Sequence, residues 1–108
     1  MADKTRIVVW YDEANKVCRV WPPLAIGATG DHVMWFNRTG APIDVHVDKG
    51  LFDQNNPTDL RGIPDRDHNK PPVNITDGAG QGHFAYKVYC YRTHSYAVGN
   101  SEPEIIVE

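Results

Sequence analysis

The sequence predicts an all-β fold, a Greek-key β-sandwich of seven to eight strands, on three observations. With 9 Gly and 8 Pro in 108 residues, almost every stretch between Pro22 and Gly82 is interrupted before the roughly 11 residues of a mean helix. The long unbroken stretches, residues 1–21 and 83–98, are rich in Val, Ile, Tyr and Trp, the side chains that suit a pleated, half-buried surface. Finally, Ile43, Val45 and Val47 alternate with Asp44, His46 and Asp48, a period of two that puts the apolar set inward and the polar set toward solvent. At 41% hydrophobic and 23% charged residues the chain reads as one domain, 1–108, with a single thin core.

The elements follow in order. Residues 6–11 and 17–21 read as a hairpin around the polar turn 12–16. The turn 28–31 feeds a strand at 32–37, in which Val33 and Trp35 share a side, and the turn 38–42 leads to the alternating strand 43–48. Residues 49–72 form a long polar loop, broken by Pro and Gly, with room for one short helical turn. A strand at 73–76, a glycine-rich turn at 77–82, the long strand 84–90, a connecting segment 91–101 and a terminal strand 104–108 complete the chain. Trp21, Trp35 and Tyr86 are the expected aromatic core.

Composition removes several functions. Eleven basic against fourteen acidic residues give a net charge of −3 with no basic cluster, so nucleic acid is not an expected partner. No run of about 18 apolar residues exists for a membrane span, and the first residues lead into no signal-peptide core. A Gly-x-Ser-x-Gly turn, a phosphate-binding glycine loop and carboxylates at a catalytic spacing are all missing, so an enzyme is not expected. Two cysteines, Cys18 and Cys90, suffice for one bridge or one reactive thiol, and spacing leaves that choice open. The pattern Cys18, Trp35, Cys90 resembles an immunoglobulin domain, but Val88 stands where such a domain carries its tyrosine. His32 and His83 flank turns and are expected to face solvent, and His68 is expected to be solvated in its charged loop.

The segment Trp21-Pro22-Pro23, Ile26 and Gly30-Asp31-His32-Val33-Met34-Trp35-Phe36-Asn37 is similar to the cupredoxin pattern in which an aromatic-x-Pro segment leads to Gly-Asp-x-Val-x-Trp-x-Asn. Cys90, followed by Tyr91-Arg92-Thr93-His94, resembles the strand that ends in a cupredoxin's cysteine ligand with a histidine ligand shortly after. Ala97-Val98-Gly99 resembles the end of that ligand loop, and residues 103–107 the last strand.

A blue-copper site needs a thiolate and two imidazoles in a trigonal arrangement with a weak axial Met or Gln. The resemblance implies Cys90 and His94 as two metal ligands. Lined up on Pro42, however, Ile43 occupies the place of the first histidine and Ala97 that of the axial methionine. His46 is the candidate stand-in for the missing imidazole. Its parity on the strand points it outward, and only a bulge shifting the register by one residue would turn it in.

The sequence therefore leads to a cupredoxin-like binding or interaction module without a standard blue-copper centre. The alternative is a copper-binding protein for electron transfer or copper delivery using Cys90 and His94 as ligands. No cofactor is expected under the first reading, copper under the second. A protein partner is expected, with Tyr89, Tyr91 and Tyr96 lining the mouth of the sandwich where it would dock. The resemblance implies a periplasmic or otherwise extracytoplasmic home.

Overall fold

The computed structural model of the protein describes residues 4–47, 59–70, 73–76, 81–98 and 102–108. Ten strands appear among them. They are β1 (Lys4–Asp12), β2 (Val17–Trp21), β3 (Leu24–Gly27), β4 (His32–Arg38), β5 (Ile43–Val47), β6 (Asp59–Ile63), β7 (Val73–Asn74), β8 (Gly82–Cys90), β9 (Ser95–Tyr96) and β10 (Glu104–Val107). One sheet runs β2-β1-β4-β7, the other β3-β10-β8-β5-β6 with β9 on β8. The all-β sandwich holds as expected, with more strands than the seven to eight that the sequence suggests.

The first hairpin forms where alternation and turn chemistry agree. Asp12 collects the Asn15 backbone N–H at 3.3 Å, the Asn15 side-chain amide at 2.8 Å and Arg19 Nε at 2.8 Å, which fixes the reversal between β1 and β2. Pro22 and Pro23 then carry the chain across to the second sheet. There β3, unrecognised in the sequence, pairs in parallel with β10 from Leu24↔Glu104 to Val107↔Gly27. It was hidden because its alternation is reversed: small Ala25 and Gly27 face the core while Leu24 and Ile26 face out. Trp21, expected in the core, likewise lies outside at 63% exposure, because the chain leaves the sandwich at that residue.

After the tight turn at Gly30 (φ +89°), where Asp31 accepts the Ala28 N–H at 2.9 Å, β4 returns parallel to β1. Val33 and Trp35 are fully buried, as is Tyr86 opposite, whose ring meets Trp35 edge to face at 5.4 Å.

The long polar loop is more structured than its composition suggests. Its described part, residues 59–70, contains β6 and then crosses from the second sheet to the first. Asn37 N donates to Asp67 O at 2.8 Å and Arg66 N to Asn37 O at 2.8 Å. Asn69, buried, accepts from Trp35 N at 2.8 Å and donates to Val33 O at 3.2 Å, so one side chain continues the ladder at the edge of β4. His68 is half-buried rather than solvated, its ring edge to face with Phe36 at 5.2 Å. No helical turn occurs among the described residues. The remainder of the loop, Asp48, most of the turn 77–82 and Gly99 lie outside them.

Candidate functional site

Cys90 ends β8 with its side chain in the core at 0% exposure. Directly opposite it in the antiparallel ladder stands Ile43, also at 0% exposure. The residue paired with Cys90 across the ladder is thus an isoleucine. What fixes it there is the buried Asn37 at the end of β4. Its side-chain amide donates to Ala41 O at 2.7 Å and to Ile63 O at 2.9 Å, while its carbonyl oxygen accepts from Thr39 N at 3.0 Å and Thr39 Oγ1 at 2.7 Å. Four hydrogen bonds from one side chain set the β4–β5 turn and hence the register in which Ile43 meets Cys90.

His46 faces the other side of the sheet. Along β5, Ile43, Val45 and Val47 are buried and His46 is exposed, its Nδ1 hydrogen-bonded to Asp59 Oδ1. A register irregularity does occur here, but it falls on β6: between the pairs Ile43↔Ile63 and Val45↔Leu60, the single residue Asp44 of β5 stands against two of β6. The extra residue lies at Arg61-Gly62, both exposed, with Gly62 at φ +66° donating its N–H to Asp44 Oδ1 at 2.7 Å. The alternation of β5 itself is intact, so the bulge leaves His46 outside.

His94 sits in the turn after Cys90 at φ +53°, exposed. Ala97 packs half-buried against the core, its N–H donated to Val88 O at 2.8 Å. As a trigonal copper grip this set does not fit: a buried thiol, an exposed imidazole beyond it and a second imidazole across the sheet do not converge. No group of three His, Cys, Asp or Glu side chains among the described residues is gathered closely enough to hold a metal ion. The neighbour that Cys90 does have is Cys18 of β2, which lies in the same buried core cluster and close enough for the two thiols to influence one another. Both cysteines are unbridged and buried in this structure. Burial first, and the Cys18 thiol second, push the Cys90 thiol well above its ordinary pKa.

A second constellation occupies the outer face of the same sheet. Tyr89 is flanked edge to face by Tyr91 at 5.3 Å and Tyr96 at 5.4 Å, and Tyr89 and Tyr96 are direct cross-strand partners. With Asp44, His46, Asp59, Arg61 and Lys87 they border an open groove of about 430 Å³. These tyrosines were expected at the mouth of the sandwich. Instead, because Tyr89 precedes Cys90 by one residue and points to the opposite face, the cluster lies on the flank of the sheet. Tyr91 donates to Asp44 Oδ2 at 2.7 Å, and that carboxylate raises the phenol's pKa. The hydrogen bond from His46 lowers that of Asp59. The sequence signal for this face is the tyrosine spacing 89, 91, 96; Asp59 and Arg61 carry no such signal, because the polar composition of residues 49–72 hides β6.

No protein-family model matches the chain, and no curated protein matches it. Solved structures do. A methionine-to-alanine mutant of amicyanin in its Cu(I) form superimposes with a TM-score of 0.55 at 18% identity, covering 99% of this chain and 82% of that one. A second methionine-to-alanine mutant of amicyanin, also Cu(I), gives 0.55 at 19% identity over the same shares. A purple cupredoxin from Nitrosopumilus maritimus is matched at 0.45 and 19% identity, over 96% of this chain and 99% of that one. The chain therefore has a cupredoxin-like fold, the architecture its Gly30–Asn37 and Cys90–His94 motifs imply.

Proposed function

We propose that this chain is a cupredoxin-fold module that binds a protein partner and has given over the position of the copper to its core. The observation that carries this reading is Ile43, fully buried directly across from Cys90, where a second ligand would have to stand. An aliphatic side chain offers no lone pair, and Asn37 holds it in place through the turn. No catalytic role is assigned to any residue, and the setting proposed is extracytoplasmic.

The partner would meet the tyrosine face. Tyr91 and Tyr96 are 41% and 57% exposed, and tyrosines supply large contact area for the loss of few rotatable bonds. Basic Lys87 and Arg61 and acidic Asp44 and Asp59 rim the groove, a mixed border that suits a protein surface better than a polyanion.

The competing reading is a copper protein using Cys90 and His94, supported by their placement four residues apart at the end of β8. Addition of Cu(II) to the reduced protein, followed by its visible spectrum, separates the two. The module reading expects no intense thiolate-to-copper band in the wild type. A strong band that disappears in Cys90→Ala would establish the copper reading instead.

A further inference from the structure

Cys18 and Cys90 are the chain's two cysteines, and the fold brings them together from opposite sheets. Cys18 lies on β2, at the edge of the first sheet, at 1% exposure; Cys90 ends β8, inside the second. Both side chains point into one buried core cluster, close enough for the thiols to influence one another, although about 70 residues of chain separate them. The backbone reinforces the juxtaposition. Val98 N donates to Cys18 O at 2.8 Å and Ala97 N to Val88 O at 2.8 Å, so the eight residues after Cys90 loop out and clasp β2 to β8 over the thiol pair.

Three fates are open to two neighbouring thiols in an apolar core. They can remain as two small hydrophobic side chains with weak S–H donors. They can bind a monovalent soft metal as a pair of thiolates, which leaves one net negative charge among Ile43, Val88 and their neighbours with no buried cation among the described residues. Or they can lose two protons and two electrons and become a neutral disulfide, which the apolar surroundings accept without a charge to compensate.

We propose that Cys18 and Cys90 form a disulfide that staples the two sheets together when the chain folds in the presence of a small-molecule disulfide such as oxidised glutathione. One cysteine, as thiolate, attacks a glutathione sulfur, forming a mixed disulfide and releasing one glutathione thiol. The other attacks the protein-side sulfur of that mixed disulfide, releasing the second glutathione thiol. The protein gives up two electrons and two protons, and one glutathione disulfide becomes two glutathione molecules. The exchange takes place before the clasp 91–98 closes, because in the folded state both sulfurs are sealed from solvent. Once formed, the bond withdraws Cys90 from any metal.

The test refolds the reduced, full-length protein in a glutathione buffer poised at about −180 to −200 mV and quenches with an alkylating agent. Expected is a monomer with no alkylated cysteine, a mass two hydrogens below the reduced form, and a linked peptide containing both residues. Its thermal midpoint should exceed that of the reduced protein by on the order of 15 °C, the gain from closing a loop this long. Reduced protein kept folded in the same buffer should oxidise at least about tenfold more slowly. Cys18→Ala and Cys90→Ala, both small and apolar, should each keep one thiol and show no such difference in midpoint between oxidising and reducing buffer. Two alkylated cysteines after refolding, a disulfide-linked dimer, or a midpoint lowered by oxidation would each overturn the proposal.

Discussion

Asn37→Ala tests how the turn positions the residue opposite Cys90. The side chain is fully buried and makes four hydrogen bonds. Two of its partners are not orphaned by the change: Ala41 O keeps Thr39 Oγ1 at 2.8 Å, and that hydroxyl keeps Ala41 O as acceptor. The other two, Ile63 O and Thr39 N, lose the partner the side chain supplied. Each buried group left without a partner costs about 1–3 kcal/mol, so the substitution should cost roughly 2–6 kcal/mol. That is a large part of the about 5–15 kcal/mol that holds a domain of this size together. The assay is urea unfolding with the slope compared between variant and wild type, so that a change in midpoint reads as a change in stability. A loss below about 1 kcal/mol at unchanged slope would mean that water or a rearranged turn satisfies these groups, and would refute the role given to Asn37.

Asn15 and Arg19 hold the Asp12 carboxylate at a pKa of about 2 against an ordinary 3.8, so its contribution is present above pH 4 and lost as pH falls toward 2. Asp12→Asn should therefore flatten the fall in urea midpoint between pH 4 and pH 2; an unchanged acid limb would contradict the assignment. Tyr91 should ionise above an ordinary tyrosine because Asp44 accepts its hydroxyl proton, and Asp44→Asn should bring it back down in an ultraviolet titration read against Tyr91→Phe. Gly40→Ala should cost more than Gly30→Ala. Both glycines have φ near +90°, a strain of about 1 kcal/mol or more for alanine, but a Cβ at Gly40 would also come within 2.6 Å of the Arg92 guanidinium, which is anchored on Thr39 O and stacked on Tyr11. Equal unfolding midpoints for the two variants would show that Arg92 yields freely.

Most of the sandwich was legible because its strands carry strong local signals. The alternation of Ile43, Val45 and Val47 and the aromatic run of β8 are patterns that burial later follows residue by residue. The elements that were not legible owe their form to partners distant in the chain. β3 is a strand only because β10, nearly eighty residues on, offers it a ladder, and its outward Leu24 and Ile26 contradict the usual alternation. β6 holds its place through β5 and the bulge at Gly62, while Asn69 acts as a piece of strand with nothing but a side chain.

At the site, the parity of β5 correctly placed His46 outside, whereas the pairing of Ile43 with Cys90 follows from the register between β5 and β8, which no local pattern states. The proximity of Cys18 and Cys90 could not be read, since no local pattern links two residues that meet across a sandwich. The tyrosines were found as a group, but their face depended on which side of β8 each residue takes. Counting from Cys90, Tyr89 must point away from the core, and that parity was available in the sequence.

On the proposed reading, the position beneath the 91–98 turn is core and holds no copper. This is tested most directly by the thermal midpoint of the reduced protein with and without Cu(I), supplied without oxygen so that the thiols are not oxidised. A ligand present at about a thousand times its dissociation constant adds about 4 kcal/mol to the folded state, a rise on the order of 15 °C for a chain of this length. The account predicts a change of no more than about 1–2 °C, the same in Cys90→Ala as in the wild type. A large rise in the wild type that Cys90→Ala abolishes would contradict it.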